Sequence, residues 1–195
     1  MSIGFFDRQF RRQVAAGDFV LNPFEEAALP RLAGRVLDYG CGLGNLSIAA
    51  ARRGCTVVAL DGSPTAVERI RAVAAAEGLA IDAAVADLRH QAPTGEFDCV
   101  VSIGLLAFFD CGTARARLAD LQACVRPGGV ASINTLVEGT SYLDLFEGGD
   151  RCLLPRGELR RAFAGWEVVD EEFRDFPAPG GTLKSFVTLT ARKAG

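Results

Sequence analysis

The chain has 195 residues, 49% of them hydrophobic and 23% charged, with a formal net charge of −3; this is ordinary globular composition, enough for one hydrophobic core. Slight acidity, with no basic cluster beyond Arg11-Arg12, excludes a general nucleic-acid or anionic-membrane surface. Six cysteines form no CxxC pair and have one histidine, His90, beside them, which argues against zinc.

Most of these cysteines read as small core residues in a reducing compartment. The first residues lack an apolar signal region, and no apolar run approaches the roughly 20 residues that span a bilayer. The expectation is a cytoplasmic, single-domain protein over 1–195, with 1–34 as a helical extension before a core from residue 35.

In that extension, Asn22-Pro23 reads as a cap for a helix running to about Leu29, either a lid over the sheet or a helix packed on one face. The first strand is Arg35–Tyr39. A helix from Asn45 to Arg53 follows and stops at Gly54. The second strand is Thr56–Asp61, and Ser63-Pro64 caps the next helix, which ends at Gly78. Ile81–Asp87 is the third strand. Phe97–Ile103, with its continuous apolar stretch, is a buried parallel fourth. Thr113–Val125 is helical; Pro127-Gly128-Gly129 turns the chain into a fifth strand, Val130–Leu136; a short helix covers Glu158–Ala164. Two β runs, Trp166–Phe176 and Thr182–Arg192, are joined too closely for anything but an antiparallel hairpin. The pattern predicts an α/β fold: a mostly parallel sheet of five βα units followed by an antiparallel hairpin.

Ligands of open α/β sheets bind beyond the carboxyl ends of the strands, so the candidate site residues stand there. After the first strand comes Asp38-Tyr-Gly40-Cys41-Gly42-Leu-Gly44-Asn45, whose glycines let backbone approach a ligand. After the second come Asp61, Gly62 and Ser63. Asp61, about twenty residues beyond Gly40, is placed to accept ribose hydroxyls. After the third, Asp87 or the Leu88 amide is placed to read a base, with Asp87 as a plain helix cap the alternative. After the fourth, Ser102, Ile103 and Gly104 offer backbone groups. The loop departs from the dinucleotide fingerprint G-x-G-x-x-G: its third glycine comes one residue early, and Asp38 precedes the first. An acid there repels a pyrophosphate and suits a cationic ammonium, which favours a nucleoside bearing an amino acid over NAD.

Val36-Leu-Asp-Tyr-Gly-Cys-Gly-Leu-Gly44 resembles motif I of class I S-adenosylmethionine-dependent methyltransferases, and Asp61, Asp87, Phe97-Asp98 and Arg126-Pro-Gly-Gly129 are similar to that family's later motifs, in order. The resemblance implies S-adenosyl-L-methionine as cofactor, S-adenosyl-L-homocysteine as product, and a three-layer, Rossmann-like, seven-stranded, mostly parallel sheet with an antiparallel C-terminal strand, which matches the hairpin. Phe5-Phe6-Asp7, Gly157–Arg161, Gly165–Val168 and Phe186–Lys193 further resemble the tellurite-resistance group, itself similar to thiopurine methyltransferases. That group implies soft chalcogen acceptors, but its His-Arg pair in the last two strands has no histidine counterpart here; Arg174 or Lys184 stands near that place.

Methyl transfer needs alignment and a dry site rather than a protein nucleophile. A thiolate acceptor needs no strong base; an oxygen or nitrogen acceptor does. The catalytic candidates are His90 as base and Arg160 and Arg174 as anchors for an anionic acceptor, each with a solvent-facing alternative, as has Arg161. Phe108, Phe109, Tyr142 and Phe146 are candidates for an apolar acceptor wall, or are ordinary core aromatics. The acceptor is expected to be a small molecule, since Ser102-Ile-Gly-Leu replaces the Asn/Asp-Pro-Pro-Tyr element of base methylation. No nucleic-acid or membrane partner is expected, and the chain acts as a monomer or homodimer. The competing readings are a protein methyltransferase and a non-enzymatic cofactor-binding or nicotinamide-dependent protein.

Overall fold

A computed structural model describes residues 3–146 and 149–195. Seven strands form one sheet in the order β3-β2-β1-β4-β5-β7-β6: β1 (Arg35–Tyr39), β2 (Thr56–Asp61), β3 (Ile81–Val85), β4 (Phe97–Ile103), β5 (Val125–Leu136), β6 (Glu167–Ala178) and β7 (Thr182–Arg192). The first five pair in parallel, while β7 runs antiparallel to both β5 and β6, as the short β6–β7 connection predicts.

Two apolar layers bury the sheet's faces. On one, α3 (Asn45–Arg52) and α4 (Pro64–Glu77) cover Val36, Val57, Ala59 and Val101. On the other, α5 (Cys111–Ala123) and α6 (Glu158–Ala162) cover Leu37, Val100, Ile133 and Leu189. Strand order reverses between β1 and β4, so the connections leaving these neighbours diverge and open a crevice at their carboxyl ends.

The N-terminal segment forms α1 (Ile3–Ala16) and α2 (Pro23–Ala28). Asn22 and Glu25 make a reciprocal capping box: the Phe24 and Glu25 amides donate to Asn22 Oδ1, and the Asn22 amide donates to Glu25 Oε2 at 2.7 Å. α1 is docked by Asp7, which accepts from Ser63 Oγ at 2.6 Å and from the Thr65 amide at 3.2 Å. Those bonds hold its carboxyl down at about 2.

Several expectations are corrected. The third strand ends at Val85 rather than Asp87, and the fifth begins at Val125 rather than Val130. Phe97 pairs with Val125 and Cys99 with Val130, so Arg126–Gly129 is an excursion inside the strand rather than a turn before it. Arg126 pairs there with Asp98, which also accepts the Arg35 amide at 2.6 Å; two of the recognised motifs thus clamp the end of the sheet rather than a ligand. Helix α5 starts at Cys111, capped by Asp110. The cysteines divide: Cys41, Cys55, Cys99 and Cys124 are buried and free, as expected of core residues, but Cys111 and Cys152 form a disulfide. That bond runs against the reducing-compartment reading, which had no way to bring positions 111 and 152 together. Among the described residues, no helix is long and apolar enough to cross a membrane.

Candidate active site

The crevice beyond β1 and β4 is a cavity of about 560 Å³. Its floor is the turn between β1 and α3. Gly40, Gly42 and Gly44 all have positive φ, a region closed to most side chains. A Cβ on Gly44 would run into Ile70, and one on Gly40 would lie 2.8 Å from Leu105 Cδ2. The tight turn is thus required both by backbone conformation and by packing beneath it.

Three carboxyls surround this floor. Asp38, 4% exposed, accepts a 2.6 Å bond from Ser47 Oγ. Burial, chiefly, pushes its carboxyl up to about 7, with Glu25 and Asp61 adding repulsion. Asp61 accepts from the Gly42 and Ser63 amides, both at 2.8 Å. Desolvation still raises it, though these amides act against the shift. Burial likewise raises Glu25. An enclosed group of acids is unfavourable in isolation and becomes favourable when a cation enters. Asn45 sharpens this picture: its Nδ2 donates to the Val20 carbonyl at 3.1 Å, while its buried Oδ1 has no partner. The cavity floor therefore offers carboxylates and an unused acceptor to a ligand with N–H, O–H and cationic groups, the chemistry of S-adenosylmethionine.

Of the predicted cofactor residues, the structure brings to the cavity Asp38, Gly40, Cys41, Gly42, Asn45, Asp61, Gly62, Ser63, Asp87, Leu88, Ile103 and Gly104. Ser102 is not among them. It is fully buried one residue short of the opening, with its Oγ unpartnered, because adjacent strand residues face opposite sides. The Gly104 amide is occupied by the Asn134 carbonyl at 3.0 Å. Asp87 accepts from the Arg89 amide and pairs with His90 Nδ1 at 2.8 Å, so it caps its turn as well as facing the cavity.

The three catalytic candidates do not reach the cavity. The His90 side chain is 80% exposed and rests on Asp87. Arg160 pairs with Glu171 at 2.8 Å, and Arg174 with Glu172 at 2.6 Å; each is held by an acid on the hairpin surface. Arg161 is exposed on α6. Of the aromatic candidates, Phe108 and Phe109 line the cavity. Phe146 is buried behind Phe108, with ring centroids 5.3 Å apart, and Tyr142 lies in a separate shallow depression.

Sequence reasoning missed much of the opposite wall. Phe6, Gln9, Phe10 and Gln13 of α1 close over the glycine turn, and Phe24, Glu25, Asn134, Leu136, Lys184 and Phe186 form the far side. Of these, Glu25 had a local signal, the Asn-x-x-Glu spacing of a capping box, while Phe6, Lys184 and Phe186 entered only through the family resemblance. Helix α1 lines the cavity beside the glycine turn and is tied through Asp7 to the start of α4.

Residues 36–129 match a methyltransferase domain. Hemagglutinin 1 of Eikenella corrodens is 30% identical over 173 residues, 83% of this chain and 55% of that protein. Malonyl-[acyl-carrier protein] O-methyltransferase of Salmonella typhimurium is 36% identical over 149 residues, 74% of this chain and 50% of that protein. The chain thus spans about half the length of the curated relatives it matches. TehB from Haemophilus influenzae has the same fold, with a TM-score of 0.76 at 19% identity over 89% of this chain and 62% of that one. Motif, sheet order and sequence match agree: residues 36–129 are a methyltransferase domain, in a sheet with the Rossmann-like methyltransferase fold.

Proposed function

We propose that this protein transfers a methyl group from S-adenosylmethionine to a small-molecule acceptor by direct in-line displacement. The observation that carries this reading is the junction of Asp38, Asp61 and Glu25 around a glycine turn in one cavity. The sulfonium cofactor supplies an electrophilic methyl group. The chain's own residues bind, orient and exclude water. Asp61, fixed by two amides, presents its remaining lone pairs to ribose hydroxyls. Asp38 faces the cationic amino-acid part, and a bound cation draws its carboxyl back to the ionised form. Phe6, Phe10 and Phe108 shield the site from above, and their exclusion of water strengthens each of these electrostatic contacts.

A thiol or chalcogen acceptor follows from the likeness to the tellurite-resistance group and needs no general base. An oxygen acceptor is favoured by the 36% identical O-methyltransferase, and Glu25, with its raised carboxyl at the cavity wall, would be its proton acceptor.

Calorimetric titration with S-adenosylhomocysteine and with NAD tests the proposal. Saturable binding of the first with no heat from the second is the expected result. Silence from the adenosyl ligand in a folded sample removes the cofactor assignment.

A further inference from the structure

On β7, alternate residues face alternate sides. Ser185, Val187 and Leu189 are buried in or beside the core, while Lys184 and Phe186 line the cavity. The antiparallel register places Phe186 opposite Leu136 and Thr188 opposite Asn134; on the outer side, Phe176 stands opposite Lys184 and Arg174 opposite Phe186. One face of the β5–β7–β6 hairpin therefore carries an apolar surface with a basic group at its outer end. Phe24 closes this surface, its ring centroid 4.9 Å from Phe186 and 5.7 Å from Phe176.

The cations of this region differ in what they already hold. Arg174 is bound to Glu172. Arg89, the other cation lining the cavity, is tied to Asp150 at 2.7 Å and to the Phe108 carbonyl at 3.0 Å. The Lys184 ammonium has no hydrogen bond or ion pair among the described residues, although the residue is partly buried in the cavity wall. Glu25, the acid on the same side, spends Oε2 on the Asn22 amide. A partly desolvated ammonium without a counter-ion calls for one from the ligand.

Deeper along the same face, Asn134 is 1% exposed. Its Nδ2 donates to Thr188 Oγ1 at 2.8 Å and to the Val187 carbonyl at 3.3 Å, and its Oδ1 is unpartnered. A carbonyl only accepts, so the nitrogen must face Val187 and the oxygen remains for another donor. Four residues of strand, roughly 13 Å, separate Lys184 from Thr188, the partner of Asn134.

We propose that Lys184 is the specificity-determining residue for the methyl acceptor. The acceptor is an elongated apolar or aromatic molecule whose carboxylate pairs with Lys184 at the outer end, while its reacting end lies by Asn134 and the β4 terminus. This inference rests on the methyltransferase reading and adds the acceptor's charge and shape.

The test uses the full-length protein saturated with S-adenosylhomocysteine, titrated with 3-phenylpropionate and with its neutral amide. The acid should bind at least tenfold more tightly than the amide. Lys184→Met should abolish that preference while leaving S-adenosylhomocysteine affinity unchanged, and Lys184→Arg should retain it. Equal affinity for acid and amide, no binding of either to the loaded protein, or a preference that survives in Lys184→Met would each overturn the proposal. Failure of S-adenosylhomocysteine to bind is a separate result: it removes the cofactor reading, and this inference with it.

Discussion

The two ends of the cavity are built in different ways. At the glycine turn, Asp38, Gly40, Gly42 and Asn45 come from one strand–turn–helix unit, and Asp61 from the adjacent strand end. At the opposite end, Phe24, Phe108, Leu136 and Lys184 come from four segments distant in sequence, brought together by the register of β7 on β5, the turn after β4 and the docking of α2. The first end is a local motif whose chemistry is written in consecutive residues. The second is a surface whose members are selected by long-range pairing. In the function proposed above, the local end serves the constant cofactor and the assembled end the variable acceptor.

The sharpest test of the local end is Gly44→Ala. The methyl group would meet Ile70 at a backbone φ of +73°, combining left-handed strain with overpacking. A loss of about 3 kcal/mol in urea unfolding, together with loss of measurable S-adenosylhomocysteine binding, is expected. A variant with wild-type midpoint and affinity would show that the turn relaxes freely and is not the rigid floor described above.

A smaller effect separates the two ends directly. Asp61→Ala removes the acceptor for the Gly42 and Ser63 amides as well as for the ribose. S-adenosylhomocysteine affinity should fall by about 50–100-fold, the scale of one or two charge-assisted bonds. Phe186→Ala should leave that affinity within about twofold and raise the KM for acceptor, because it trims only the assembled wall. If both variants weaken the cofactor alike, the division into two ends fails.

The contrast also explains what could be read beforehand. Strand–helix alternation, the glycine turn and the Asp61 position are short-range patterns, and all are present in the structure. The Cys111–Cys152 bond and the roles of Asp7 and Lys184 depend on contacts across many residues. Alternation along β7 identifies two faces but not which one meets the cavity. Arg174, on β6, is a candidate through the likeness to the family's His-Arg pair, yet its neighbour Glu172 neutralises it; Lys184, two pairs farther out, has no such partner among the described residues.

Acidity sharpens the comparison next. The Asp38 carboxyl lies at about 7 in the folded protein, against 3.8 ordinarily. The unliganded protein therefore takes up a proton there as pH falls through about 7, whereas the ammonium of a bound ligand requires the ionised form. Binding must release that proton, so S-adenosylhomocysteine affinity should fall by about tenfold per unit below pH 7 and level off above it. Stability of the unliganded protein takes the opposite course: the raised carboxyl favours the fold at low pH, and that contribution fades between about 4 and 7. Calorimetry from pH 5.5 to 8.5 checks the first slope, and Asp38→Asn should flatten it.

The smallest expected effects belong to His90, Arg160 and Arg174. His90 rests on an exposed Asp87, and both arginines form partly exposed ion pairs on the hairpin face. Such pairs contribute about 0–1 kcal/mol, and none of the three side chains lines the cavity. Replacing each by alanine should change kcat/KM by less than about threefold and leave cofactor affinity unaltered. Arg174→Ala is the most informative of the three, because it frees Glu172 on the face that carries Lys184. Weaker acceptor binding in that variant alone, lessened by added salt, would show that charge on this face reaches the acceptor through solvent. A large loss of kcat in His90→Ala would instead mean that the turn at Asp87 swings inward during catalysis, placing a base at the assembled end that the unliganded geometry keeps outside.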